Sequence, residues 1–583
     1  MDLKAALALL LALVSAAGCS PALVTRRAEP VAARSAELPA RSWRERLGDG
    51  ATLARWSVDL GTAFPGARAA AAVVATSDGD VARLSYDFRA GGHWVALRRQ
   101  LRPALAATVA RVRVRAPPGI RVVLQVIDSE GQILQYGAPR PFAALEGDAP
   151  FTISFALDAP SGHWKGARDG RIHGGIASLA ILAADPLRAC VQGSVDVASV
   201  ELVDGDDSAV VEPAAIVPAR GETALGINIG GDEDDAALAL AADAGFGLAR
   251  CDLVWASVEQ QRGAYDFGRY ERLQRQLAAH GLETLFILDY ANPLYETGPP
   301  RSDEAVAAYA AFAQQAARTF AGLPVRFEVW NEPNLARFWP PRPDAHAYAT
   351  LAAAAIAAMT AAVPEVRVAV GSTSEIDYPF LDAMARQGAA EHAAAVSVHP
   401  YRDGAPETFA DDVRLLRATV ARAGERQLWA SEAGYRSAER GEDRQALLAV
   451  RQLLTARALA LPVAVYYSLR DADSDPRGAE TYGLLTHDGR PKRAIEALLA
   501  LARSTRGRRF AGVVPVERAG VHALRFDGDD DALLIVWTTS AHARVRVASA
   551  LSVRDLAGRE RAPAGVLALA ESDGPLYVTI ARR

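Results

Sequence analysis

Eight short apolar runs alternating with helix-forming stretches between residues 221 and 505 constrain this chain more than any other feature. The runs cover 225–229, 248–252, 283–289, 325–330, 367–371, 395–399, 427–431 and 463–468. The stretches between them, for example Glu304 to Phe320, Ala345 to Ala362 and Arg444 to Ala460, are rich in Ala, Leu and Arg, residues that lose little on entering a helix. Regular alternation of this kind is the pattern of βα units around a parallel sheet. Eight repeats over about 285 residues predict a closed (β/α)8 TIM barrel, a fold of about 250 residues. An open doubly wound sheet is the structural alternative. It is disfavoured because eight successive units close naturally and no dinucleotide-binding glycine fingerprint appears.

At 583 residues the chain exceeds the roughly 250 to 300 residues at which a single core stops growing, so further domains are expected. Residues 48–205 hold short runs such as 82–88, 121–126 and 195–202, separated by Gly, Asp and Pro, and predict a β-sandwich, a common carbohydrate-binding module. Trp94 and Trp164 are candidate sugar platforms there, against the commoner role of Trp as sandwich core. Residues 506–583 return to the same pattern, with runs at 532–537 and 576–580. They predict a small second β-sandwich whose role is structural.

The N-terminus places an apolar run, residues 5–14, after Lys4 and before Ala16-Ala17-Gly18-Cys19. That is the layout of a secretory signal, residues 1–19, and its end resembles a bacterial lipobox with Cys19 as the lipidated residue. The plainer alternative is a signal cleaved after a small residue. Residues 20–47, rich in Pro, Ala and Arg without periodicity, read as a tether. The expectation is a protein lipid-anchored to a bacterial membrane, or secreted, facing periplasm or exterior. Charges sum to 64 − 69 = −5 and are interspersed, so no basic stripe marks a nucleic-acid site. Cys190 and Cys251 fall in different expected domains and predict no disulfide. No Cys/His cluster has metal-ligand spacing and no phosphate loop follows a strand, so neither metal nor nucleotide cofactor is expected.

A TIM barrel carries its reactive groups at the C-terminal ends of its strands. The fourth run ends in Trp330-Asn331-Glu332-Pro333-Asn334, and Pro333 cannot continue a central strand, which puts Glu332 at the rim. The seventh ends in Ser431-Glu432-Ala433-Gly434-Tyr435, with Glu432 likewise at the rim. Strands four and seven stand nearly opposite, so the two carboxylates can face each other across the mouth. Glycoside cleavage needs such a pair, one acid to protonate the leaving oxygen and one carboxylate to attack the anomeric carbon, about 5 to 5.5 Å apart when configuration is retained. Glu328 lies four residues before Glu332, on the same inward face. A buried carboxylate requires a partner, and Arg250 on the second strand is the candidate, both residues being structural. Trp255, Tyr290, Tyr295, Trp339 and Tyr435 fall on expected βα loops and are candidates for stacking on a carbohydrate.

These motifs resemble those of the clan-A glycoside hydrolases, family 39 in particular, through most of residues 221–505. Trp330 to Asn334 resembles the clan's acid/base motif and Ser431 to Tyr435 its nucleophile motif. The likeness extends to Arg250 to Trp255, Glu259, Gly263 to Phe267, Val398-His399-Pro400-Tyr401, and Tyr482-Gly483-Leu484-Leu485 before Pro491-Lys492. The resemblance implies a retaining double displacement with Glu332 as general acid/base and Glu432 as nucleophile. It implies that Asn331 bonds the sugar 2-hydroxyl and that His399 and Tyr401 line the site beside the nucleophile. The chain departs from the pattern at Tyr466-Tyr467-Ser468-Leu469-Arg470-Asp471, where many members carry a Trp platform. Arg470 and Asp471 become candidates for contact with a charged or polar substituent. The like charge of Glu432 is expected to keep Glu332 protonated at rest. The expected substrate is an extracytoplasmic oligo- or polysaccharide. Two other readings are transglycosylation, with an acceptor sugar replacing water, and a non-catalytic polysaccharide-binding lipoprotein, whose mark would be loss of one carboxylate.

Overall fold

The structure, a computed structural model, describes residues 42–61, 64–117, 119–137, 142, 150–185, 190–205, 208–421, 424, 426–472, 480–548 and 550–581. Cys19 and its surrounding signal and tether, up to residue 41, lie outside the described residues.

The eight apolar runs become eight parallel strands of one closed barrel: β1 (Ala224–Asn228), β2 (Leu248–Val254), β3 (Glu283–Asp289), β4 (Val325–Val329), β5 (Val368–Ser374), β6 (Ala395–His399), β7 (Gln427–Ala433) and β8 (Val463–Tyr466). β8 pairs with β1, which leaves no free edge. Both faces of these strands are covered, which is why they read as continuous apolar runs. Leu248, Leu285, Ala369, Ala395, Trp429, Val463 and Val465 fill the lower interior. The outer face packs on helices whose starts are fixed by side chains accepting from backbone N–H groups, Asp234 for Asp235–Asp243, Ser302 for Asp303–Thr319 and Asp344 for Ala345–Ala362.

The N-terminal unit is two antiparallel six-stranded sheets packed over one core, among the described residues. It begins at Trp43, not at residue 48. Trp43–Arg46 has no apolar alternation to announce it, yet it pairs with Gln192–Val203 and buries Glu45 between the Trp56 indole N–H and Arg99. Trp94 packs its half-buried ring beside Gly61 and with Val123 and Leu182, and Trp164 lies on an edge strand, Gly162–Trp164. The C-terminal unit combines a seven-stranded and a three-stranded sheet around a separate core. Residues 208–220, between the expected sandwich and barrel, contribute to both sheets: Ala209–Val211 pairs with His542–Val547 and Val217–Pro218 with Arg509–Val513.

The units are joined by polar contacts. The 154 amide donates to the Glu517 carbonyl at 2.8 Å, binding the first sandwich to the C-terminal unit. Beneath the loop after β6, Arg451 is fully buried against Glu407 at 2.7 Å and reaches Glu571 at 2.8 Å. The Trp537 indole donates to Glu407 at 2.6 Å. Cys190 lies in the sandwich and Cys251 in β2, each with a free thiol.

Candidate active site

Arg250 organises the barrel mouth. Its side chain is 1% exposed and its planar fork joins Glu328, Glu432, Asn228 and Asn331. Nε and Nη2 bond Glu328 at 2.9 and 2.8 Å. Nη1 donates to Glu432 at 2.6 Å and to Asn228 at 3.0 Å, and Nη2 donates to Asn331 at 3.0 Å. Burial works against the guanidinium charge, but Glu328 and Glu432 outweigh it and hold Arg250 protonated. The expected Arg250–Glu328 pair is therefore present, and the same cation also fixes Glu432 and Asn331.

Glu432 receives a second hydrogen bond, from the Tyr401 hydroxyl at 2.7 Å. Glu332 approaches it from β4, and with His399 the three residues offer atoms that all lie within 4.8 Å of one another. Such a trio has the spacing to hold a cation, but the Arg250 guanidinium already lies against Glu432 and His399 and supplies the positive charge there. The backbone that presents Glu332 is strained. Trp330 (φ 67°), Glu332 (φ 45°) and Ser372 (φ 37°) occupy the left-handed region, at about 1 kcal/mol or more each. Hydrogen bonds over-determine the turn: Glu332 N to the Ser372 carbonyl at 3.0 Å, and Ser372 Oγ to the Trp330 carbonyl at 2.9 Å. On the facing loop Gly434 is required, since a Cβ there would lie 2.0 Å from the Tyr467 carbonyl oxygen.

The ring of His399 is fully buried and its tautomer follows from its neighbours. Arg250 Nη2 faces Nε2 at 3.3 Å and can only donate, so Nε2 accepts and Nδ1 carries the hydrogen. Nδ1 then donates to Glu332 Oε1 at 3.0 Å. Burial pushes the Glu332 carboxyl up, but the hydrogen bond from His399, with smaller help from Ser374 and Arg250, brings it below its ordinary range. This corrects the expectation of a protonated Glu332 at rest: the donors, His399 on β6 first, outweigh the burial that favours the acid form. Removing that donor destabilises the ionised form, so His399→Leu is expected to raise the Glu332 pKa. The acid form then persists to higher pH, and the basic limb of the kcat/KM profile moves upward; an unmoved limb would show that His399 does not set this proton.

Of the aromatic candidates, Tyr290 stands at the mouth, its hydroxyl accepting from Asn331 Nδ2 at 3.3 Å. Three others do not. Trp255 is fully buried, its ring stacked on Tyr295 and Phe312 and its N–H given to Glu259 at 2.7 Å. Trp339 is fully buried against Trp330 and Tyr348. Tyr435 is buried with Leu447 and Leu448, its hydroxyl directed to the Gly404 carbonyl. These loops fold their large rings inward as secondary core, so none of the three can stack on a ligand. Tyr295 likewise gives its hydroxyl to Glu259 at 2.6 Å. Asp471 is held by Lys492 at 2.6 Å and Arg470 by Asp234 at 3.2 Å, which leaves neither as the expected contact for a substituent.

The aromatic wall beside Glu432 comes from residues not singled out as platforms. Tyr482 meets Tyr401 at 5.7 Å and Tyr467 at 5.4 Å, each edge to face. Two acids at the strand ends, Asp252 on β2 and Asp289 on β3, were also missed. Their signal was available: Asp252 lies two residues beyond Arg250, on the same face of β2.

No protein-family model and no curated protein sequence matches the chain. Solved structures do. A family 39 glycoside hydrolase from the gut symbiont Bacteroides cellulosilyticus aligns over 83% of this chain and 100% of its own, at 19% identity and a TM-score of 0.53. A family 39 beta-xylosidase from Caulobacter crescentus aligns over 65% of this chain and 100% of its own, at 20% identity and a TM-score of 0.51. At such identities the likeness is one of architecture, and by that measure the chain has the fold of the solved family 39 glycoside hydrolases.

Proposed function

We propose that the protein is a retaining glycoside hydrolase in which Glu332 is the general acid/base and Glu432 the nucleophile. One observation carries this: two carboxylates from β4 and β7 meet across the barrel mouth with oxygens within 4.8 Å. Inverting enzymes need about 6.5 to 9.5 Å to seat a water between their carboxyls, whereas a retaining pair sits about 5 to 5.5 Å apart. The surroundings divide the roles. Glu432 is fixed by Arg250 and Tyr401 through both oxygens, a geometry that aims a nucleophile and stabilises its charge. Glu332 takes the His399 hydrogen bond at Oε1 and, in its acid form, carries the transferred proton. In the first step Glu432 attacks the anomeric carbon while Glu332 in its acid form, the form whose loss sets the basic limb of the pH profile, gives its proton to the leaving oxygen. In the second, Glu332 takes a proton from water as it displaces Glu432. The fold shared with family 39 enzymes and the motifs around Glu332 and Glu432 support the same assignment. Asn331, held by Arg250, is assigned the hydrogen bond to the sugar 2-hydroxyl in this reading.

The test is covalent trapping. Incubation with activated 2-deoxy-2-fluoro glycosides followed by peptide mapping should add one glycosyl mass to the peptide holding Glu432, and none in Glu432→Gln. A label on another residue, or none with any donor, would remove the assignment.

A further inference from the structure

Asp252 and Asp289 take no part in the chemistry above. β2 turns Arg250 and Asp252 to the same inward face; Arg250 is buried, and Asp252, one pleat higher, is exposed at the mouth. Asp289 closes the neighbouring β3 and is fully buried. Among the described residues no N–H or hydroxyl donates to either of its carboxyl oxygens. Asp252 stands on the adjoining strand, where β2 pairs in register with β3, and its charge and hydrogen bond act on the Asp289 carboxyl. An isolated buried carboxylate is costly, and two carboxyls in contact relieve that cost by sharing a proton. Burial raises both carboxyls, Asp289 well above the ordinary range and Asp252 less because Arg250 and the Asp289 hydrogen bond oppose it, so the proton resides on Asp289 and Asp252 accepts from it. The pair thus shows the cleft one carboxylate backed by a neutral acid. The charge of Asp252 is felt by Arg250, Glu432, Tyr290 and Tyr467, which border the cleft. Lys492 and Arg470 are engaged elsewhere, Lys492 with Asp471 and Arg470 with Asp234.

We propose that Asp252, seated on Asp289, selects the glycosyl unit: it accepts hydrogen bonds from donor groups of the sugar, hydroxyl or ammonium, and its charge turns away a glycosyl unit that carries a carboxylate. This rests on the glycosidase reading and narrows its substrates to neutral or amino sugars over uronates. The experiment compares kcat/KM of wild type, Asp252→Asn and Asp289→Asn for nitrophenyl xylosides, glucosides, glucosaminides and glucuronides in both anomeric series. Wild type should favour a neutral or amino glycoside over the glucuronide at least a hundredfold, and which of the two leads separates hydroxyl from ammonium recognition. Asp252→Asn should narrow that ratio at least tenfold, through KM more than kcat. A merely structural role would lower every donor together. Asp289→Asn still offers an N–H to Asp252 and should keep the preference. A wild-type preference for glucuronide, or an unchanged ratio in Asp252→Asn, overturns the inference and leaves the glycosidase reading standing. Hydrolysis of no donor by wild type overturns both.

Discussion

Glu432→Ala is expected to lower kcat/KM by on the order of 10⁴-fold or more, equivalent to at least about 5.5 kcal/mol of transition-state stabilisation. The substitution removes the atom that forms the covalent intermediate, and the rest of the site cannot replace it: Tyr401 and Arg250 are donors, and Glu332 lies on the leaving-group side. Stability should change little by comparison. The Glu432 side chain is 12% exposed and Arg250 keeps Glu328, so no buried charge is left alone. Initial rates with an activated aryl glycoside, alongside a denaturation curve, check both halves. A loss below tenfold would mean that the nucleophile is another residue.

Arg250→Met should damage folding and chemistry together. It leaves Glu328, with a side chain 0% exposed, facing no cation, the situation that costs about 3 to 5 kcal/mol when one member of a buried pair is removed. It also frees Glu432 and Asn331 from the donor that aims them. The Arg250→Met, Glu328→Leu double variant separates the two effects. Removing both charges should recover most of the lost stability, since a well-packed apolar pair commonly matches a buried ion pair, but none of the activity, because Glu432 remains unaimed. Urea midpoints and kcat/KM on the three proteins measure this. A stable, inactive Arg250→Met would show that Glu328 tolerates solitude; an active one would remove Arg250 from the site.

What the sequence disclosed follows from which physical signals are local. Strands buried on both faces read as apolar runs, so all eight barrel strands could be marked, and Pro333 and Gly434 marked the rims that carry Glu332 and Glu432. Alternation gave the Glu328–Arg250 pairing, because period two is geometric and needs no tertiary knowledge. The aromatic residues were misjudged because a βα loop can point a ring inward or outward: Trp255, Trp339 and Tyr435 turned inward onto Glu259, Trp330 and Leu447, a direction that the loop's local pattern does not encode. The protonation of Glu332 was misjudged for a similar reason. Its governing neighbour is His399, 67 residues away, with a tautomer set by Arg250. Trp43–Arg46 and Ala209–Val211 escaped notice as strands because their pairing partners, not their own residues, make them so.

The central claim, that Glu432 attacks and Glu332 shuttles the proton, is tested most directly by the configuration of the glycosyl azide formed when each carboxylate is replaced by Ala and azide is supplied with an activated substrate. In Glu432→Ala azide enters the space of the missing nucleophile, and the product should have inverted configuration. In Glu332→Ala the glycosyl-enzyme still forms on Glu432 and azide displaces it from the other face, so the product should have retained configuration. Exchanged configurations, or no azide product from either variant, would contradict the account.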